Sequence, residues 1–186
     1  LGSTGPAYGQ ARLRIAAPAP DTGVGEIQVA GPYVMKGYFK DPELTAAAFT
    51  EDGWFKTGDL GYFDEQGYLF IKGRSKNVII GPSGENIYPE EIESILLQSP
   101  DVLEALVMDI GRTLVARVYL DHQRIDEKLG NAPGNKRKEY LLCLLAELRE
   151  QVNSKVSSFA KIHKVVEQTE PFEKTPTQKI KRYLYR

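Results

Sequence analysis

The feature that most constrains this chain is a change of pattern near Gly73. Before it, short apolar segments alternate with glycine and proline, as half-buried strands joined by tight turns do. After it, helical periodicity appears. In the first part, residues 10–16 (with Leu13 and Ile15) and 25–30 (with Ile27 and Val29 on one face) predict two strands. Residues 44–50 predict a short helix after Asp41-Pro42, since proline is accepted in a first turn. Residues 55–63 and 68–72 predict a hairpin closed by Asp64-Glu65-Gln66-Gly67. Strands at this density predict a small β-rich lobe, a partial barrel, over residues 1–73.

Residues 74–186 predict an α+β lobe, a small sheet flanked by helices. Residues 77–80 read as a short strand, followed by the tight loop Gly81-Pro82-Ser83-Gly84. Pro89 opens a helix where its missing N–H costs nothing, with Glu90 and Glu91 in the positive first turn and Ile92, Ile95 and Leu96 as the buried stripe. Residues 102–108 and 113–120 predict a strand pair around Asp109-Ile110-Gly111-Arg112, and the polar stretch 122–135 an irregular connection. Residues 136–155 carry Leu141, Leu144, Leu145, Leu148 and Val152 at the spacing of one helical face. Residues 164–168 predict a last strand, and residues 171–186 a basic tail.

Composition narrows the function classes. A chain of 186 residues, 41% apolar, is long enough to bury a core without disulfides. The single cysteine excludes an intramolecular disulfide, and with two distant histidines it argues against structural zinc. No apolar run approaches the ~20 residues of a membrane span. A net charge of −1 argues against a protein dominated by nucleic-acid binding. The charge is uneven: six Lys/Arg against nine Asp/Glu in residues 1–72, eighteen against sixteen in residues 73–186.

No phosphate-binding G-x-x-x-x-G-K-[ST] occurs, and no G-x-G-x-x-G follows a strand. His122 and His163 lack a neighbouring nucleophile and read as surface or packing residues, and Cys143, among leucines, as a buried inert thiol. Three stretches carry candidate chemistry. Asp59, in Thr57-Gly58-Asp59, is either a turn residue or a carboxylate for both hydroxyls of a ribose. Arg74 and Lys76, in Gly73-Arg74-Ser75-Lys76-Asn77, are either solvated cations between lobes or donors to ribose and phosphate oxygens. Lys179, after Thr175-Pro176-Thr177-Gln178, is either part of a solvated tail or a point cation for developing negative charge. Spacing alone separates none of these pairs.

Taken in order, these stretches resemble the C-terminal part of the AMP-forming acyl-CoA synthetases, the adenylate-forming superfamily. Gly25-Glu26-Ile27 through Gly37-Tyr38 resembles its G-E-I…G-Y strand motif, and Thr57-Gly58-Asp59 its T-G-D motif. Gly73-Arg74-Ser75-Lys76, Ser83-Gly84-Glu85-Asn86-Ile87 and Pro89-Glu90-Glu91-Ile92-Glu93 resemble its hinge and the loop and helix beyond, and residues 175–182 its closing lysine motif. The resemblance implies a reaction in two halves. A carboxylate attacks the α-phosphate of ATP, giving an acyl-adenylate and pyrophosphate, and the thiol of CoA then displaces AMP. It implies that Asp59 binds the ribose, Arg74 supports it, and Lys179 contacts the reacting carboxylate and α-phosphate. Lys76 is implied as the hinge, and Gly84 as the close-approach point on the CoA side. One small lobe turning about a few dihedrals then exchanges one face for the other, which predicts Lys179 and Gly84 on different faces.

Two departures matter. Gln178 stands where the family has glycine, and the phosphate-gripping Ser/Thr/Gly-rich loop, with most of the acyl pocket, is expected upstream of Leu1. The resemblance therefore implies a partner region in the same enzyme that binds most of the Mg²⁺, and a 186-residue chain inactive alone. The 81–90 loop and the Thr-Pro-Thr ending resemble most the long-chain fatty acid–CoA ligases, which implies a cytoplasmic enzyme of lipid metabolism, with peripheral membrane contact as a further expectation. Aryl or medium-chain ligases and peptide-synthetase adenylation domains are the alternatives. A non-catalytic module that uses Lys136-Arg137-Lys138 and the tail on anionic partners is the more distant one.

Overall fold

The computed structural model describes residues 2–130 and 134–185, and the chain divides into two compact units after Val78. This is later than the Gly73 position read from sequence, because the 3-10 turn Ser75–Asn77 still packs on the strand Phe55–Phe63.

The first unit is a four-stranded antiparallel sheet in sequential order, β1 (Arg12–Ala16), β2 (Gly25–Ala30), β3 (Phe55–Phe63) and β4 (Leu69–Arg74). The mixed α+β fold is as expected, and the β-rich lobe stays an unclosed sheet. Thr4 and Gly5 bond to Leu69 on the outer edge of β4 while β1 forms the opposite edge, and four strands are too few to close. Helix α1 (Pro42–Ala48) starts earlier than predicted, because Asp41 caps it by accepting the Leu44 N–H at 2.8 Å.

The second unit begins with a minimal hairpin, β5 (Ile79–Ile80) and β6 (Asn86–Ile87), then α2 (Pro89–Leu96). Its three-stranded sheet has the order β7 (Val102–Asp109), β8 (Leu114–Leu120), β9 (Lys164–Glu167). Strands β8 and β9 are parallel, so the chain must cross over between them, and α3 (His122–Leu129) and α4 (Gly134–Asn153) do so.

Alternation along β7 sorts its side chains. Ala105 and Val107 join Ile92, Leu96, Val118, Leu148 and Val152 in the main core, while Leu106 and Met108 point to the other face. That second face is covered by Phe172, Ile180 and Tyr185, so the predicted basic tail is a packed segment. Two further expectations change. Residues 122–129 are helical: Asp121 caps α3 at Arg124 N–H and Ile125 is fully buried, a single anchor in an otherwise polar stretch; residues 131–133 of that stretch lie outside the described residues. Cys143 is exposed, because α4 buries only the narrow row Leu144, Leu148 and Val152. Among the described residues no helix is long and apolar enough to cross a membrane.

Candidate functional site

The Thr57-Gly58-Asp59 bend is a bulge in β3. Pairing with β2 jumps from Glu26↔Leu60 to Gln28↔Lys56, leaving three residues opposite Ile27. The Thr57 hydroxyl holds it: it donates to the Ile27 carbonyl at 2.7 Å and accepts the Asp59 N–H at 3.0 Å. Gly58 has φ +71, a left-handed conformation that disfavours a side chain, and its N–H donates to Glu26 at 3.2 Å. The bulge turns Asp59 directly across from Arg74 on β4. Arg74 Nε lies 2.7 Å from Asp59 Oδ1, with the two side chains 48% and 31% exposed. An oriented, water-accessible carboxylate backed by a guanidinium is what this corner of the sheet presents. Lys76 follows in the 3-10 turn, exposed.

In the second unit, Gly84 sits at the tip of the β5–β6 turn, which is closed by Gly81 N–H to Glu85 C=O at 2.8 Å and Gly84 N–H to Gly81 C=O at 3.0 Å. Its φ is +90, and a Cβ built there would meet nothing within 4 Å. The turn borders a cleft of about 470 Å³ lined by Pro82, Arg112, Phe159, Lys161 and His163 among others. Arg112 reaches it from a tight hairpin in which Gly111 and Arg112 both have positive φ, 60 and 62. The cleft combines the basic side chains of Arg112 and Lys161 and the carboxylate of Asp109 with the aromatic face of Phe159.

Lys179 lies in a second tight turn. Thr175 N–H donates to Lys179 C=O at 2.8 Å, Gln178 N–H to Thr175 C=O at 2.9 Å, and Lys179 N–H to Thr175 Oγ1 at 3.2 Å. Both legs of this hairpin are clamped. On the incoming leg, Glu104 accepts the Phe172 N–H at 2.9 Å and pairs with Lys174 at 2.5 Å. On the outgoing leg, Arg182 pairs with Glu93 of α2. Burial pushes the Glu93 carboxyl up from its ordinary pKa, against the opposing pull of Arg182 and of the Val107 N–H.

The Gly84 and Lys179 turns attach to opposite faces of the β7–β9 sheet. Ile79 and Ile87, at the base of the first, pack into the core on the helix side, whereas Ile180, beside the second, packs on Leu106, Met108 and Phe172.

Gln178 has φ +61, so this glutamine occupies the conformation that suits the glycine the family carries there. A left-handed L-residue costs roughly 1–2 kcal/mol, which glycine would relieve while adding roughly 0.5–1 kcal/mol of unfolded-state entropy. Gln178→Gly is therefore expected to be neutral to stabilising, by up to about 1.5 kcal/mol, and Gln178→Val destabilising, in thermal unfolding of this chain. A valine variant as stable as wild type would contradict the conformation.

The clamp residues and the cleft were not picked out from sequence. Glu93 had a signal: Pro89, Ile92, Glu93 and Leu96 share one buried stripe of α2, and a carboxylate there requires a partner. Arg182 had none, being one cation among several.

The mixed α+β fold is consistent with the C-terminal lobe of adenylate-forming enzymes. The chain superposes on o-succinylbenzoate coenzyme A synthetase (MenE) from Bacillus subtilis in complex with AMP, with TM-score 0.73 and 30% identity, over 98% of this chain and 35% of that one. Residues 91–179 match the family described as AMP-binding enzyme C-terminal domain. The sulfoacetate–CoA ligase of Cupriavidus necator is 48% identical over 128 residues, 64% of this chain and 25% of that protein. Probable acyl-activating enzyme 9 of Arabidopsis thaliana is 41% identical over 168 residues, 88% of this chain and 28% of that protein. The chain thus spans about a quarter to a third of the relatives it matches. Sulfoacetate and o-succinylbenzoate are not long-chain fatty acids, so these relatives support the ligase class and not the fatty-acid branch.

Proposed function

We propose that this chain is the C-terminal part of an AMP-forming carboxylic acid–CoA ligase, acting in both halves of a two-step reaction. The observation that carries the reading is the attachment of the Lys179 and Gly84 turns to opposite faces of one small sheet. In the first half, the acid's carboxylate attacks the α-phosphate of ATP and pyrophosphate leaves. Asp59 accepts hydrogen bonds from the ribose hydroxyls, Arg74 holds Asp59 in place, and the Lys179 ammonium neutralises charge gathering between carboxylate and phosphate. In the second half, the thiol of CoA attacks the acyl carbonyl and AMP leaves. The lobe turns about Lys76, withdrawing Lys179 and presenting the Gly84 turn, whose bare backbone lets the thiol arm pass closely. The adjoining cleft suits the nucleotide end of CoA: Arg112 and Lys161 attract phosphates and Phe159 offers a face to a base. The upstream region of the same enzyme supplies the acyl pocket and the Mg²⁺ site.

The acid is proposed at the level of a carboxylic acid. The 81–90 loop and the Thr-Pro-Thr ending favour a long-chain fatty acid, while the relatives' names favour smaller acids carrying a second polar or aromatic group.

Asp59→Ala in the full-length enzyme tests the nucleotide side. Losing a carboxylate that accepts from two hydroxyls removes about 1.5–3 kcal/mol, an AMP dissociation constant raised roughly 10–100-fold by calorimetry. Unchanged AMP affinity would overturn the ribose role. Pyrophosphate release measured in parallel with palmitate, sulfoacetate and an arylacetate assigns the acid class.

A further inference from the structure

We propose that the Glu93–Arg182 pair positions Lys179, acting as a register lock on the outgoing leg of its hairpin; this rests on the adenylation role given to Lys179 above. Strand β7 is an edge of the sheet, and Val107 turns its amide and carbonyl outward. Glu93 Oε1 accepts the Val107 N–H at 2.7 Å, and Arg182 Nη1 donates to the Val107 C=O at 3.4 Å. The other guanidinium nitrogen, Nη2, pairs with Glu93 Oε2 and lies 3.6 Å from Glu90. Arg182 is thereby tied at once to a helix and to one particular peptide unit of a strand. A one-residue slip of the tail would break both ties, as the planar fork of arginine fits only one such arrangement.

Only Ile180 and Lys181 separate this anchor from Lys179. Ile180 is bridged to Lys174, and the Lys181 N–H donates to the Glu173 C=O at 2.9 Å. Displacement of Arg182 therefore passes to the lysine through a short, hydrogen-bonded ladder. A stability role alone does not call for charge here, since a buried ion pair often stabilises no more than an apolar pair of the same volume. What the pair adds is a fixed position. The incoming leg has its own clamp at Glu104, so the hairpin stays attached when Arg182 is lost, and only its outgoing leg is freed.

The experiment measures both half-reactions of the full-length enzyme for Arg182→Ala, Arg182→Lys, Glu93→Gln and Lys179→Ala. Arg182→Ala is expected to lower kcat for pyrophosphate release on the order of 10–100-fold, as sub-ångström misplacement of a reacting group does. KM for ATP and the thioester rate from supplied acyl-adenylate should stay within about twofold of wild type. Arg182→Lys, which keeps the charge and loses the fork, should recover part of the loss. Glu93→Gln, which keeps the acceptor for Val107 N–H, should fall between and gives the readout if Arg182→Ala does not fold. Wild-type adenylation in Arg182→Ala, or equal loss of both half-reactions in Arg182→Ala and Glu93→Gln alike, would overturn the positioning role. Lys179→Ala separates the two levels: if it keeps adenylation, the role of Lys179 fails, and if it loses adenylation while Arg182→Ala does not, only the register lock fails.

Discussion

Lys179→Ala in the full-length enzyme is expected to lose adenylate formation by roughly 10²–10³-fold, the effect of removing one preorganised donor to developing charge. Thioester formation from supplied acyl-adenylate should persist. The asymmetry follows from where the residue sits. Lys179 is exposed at the tip of a hairpin whose legs are held by Glu104 and Glu93, so removing its ammonium takes nothing from the core. Its anchoring face is also not the one that carries Gly84. Lys179→Arg keeps the charge and misplaces it on a wider, planar group, and should restore little. Stopped-flow pyrophosphate release measures the first rate, and thioester absorbance the second.

Gly84→Leu is expected to do the reverse, lowering thioester formation on the order of 10²-fold with adenylation near wild type. The cause is not crowding inside the lobe, since a Cβ at Gly84 has open space around it. Two effects remain. The left-handed backbone at φ +90 costs an L-residue roughly 1–2 kcal/mol in the turn, and the leucine projects from the surface proposed to face the thiol arm. Gly84→Ala separates them, because it carries the same backbone strain with little bulk. A graded loss, small for alanine and large for leucine, assigns the effect to volume. Equal losses would assign it to turn geometry and remove the close-approach role.

Local pattern made much of the fold legible. Strands β1 and β2 follow from alternation, the β7–β8 pair from two apolar runs around Asp109-Ile110-Gly111-Arg112, and α2 from Pro89 and the acidic residues behind it. Helix α3 escaped because it buries one residue, Ile125, and periodicity needs at least two turns of apolar anchors to show. The segment after Pro171 looked like a solvated tail because Phe172, Ile180 and Tyr185 are spaced irregularly among charges. They pack on the far face of β7, a partner distant in sequence. The site divides the same way. The residue types at Asp59, Arg74, Gly84 and Lys179 stood out by motif, yet their geometry did not. Asp59 meets Arg74 only because β3 bulges against β2 at Ile27 and slips again against β4 after Leu60, and bulges leave little trace in composition. Gln178 is the instructive case. Glutamine has less backbone freedom than the glycine expected there, yet Gln178 adopts a positive φ and bears the strain.

One lobe serving two reactions from two faces is tested most directly by following pyrophosphate release and thioester formation side by side in single preparations of the Lys179→Ala and Gly84→Leu enzymes. Crossed losses are expected, with the lysine variant failing at the first step alone and the glycine variant at the second alone. If either substitution depresses both steps to the same extent, the division of labour between the two turns is wrong.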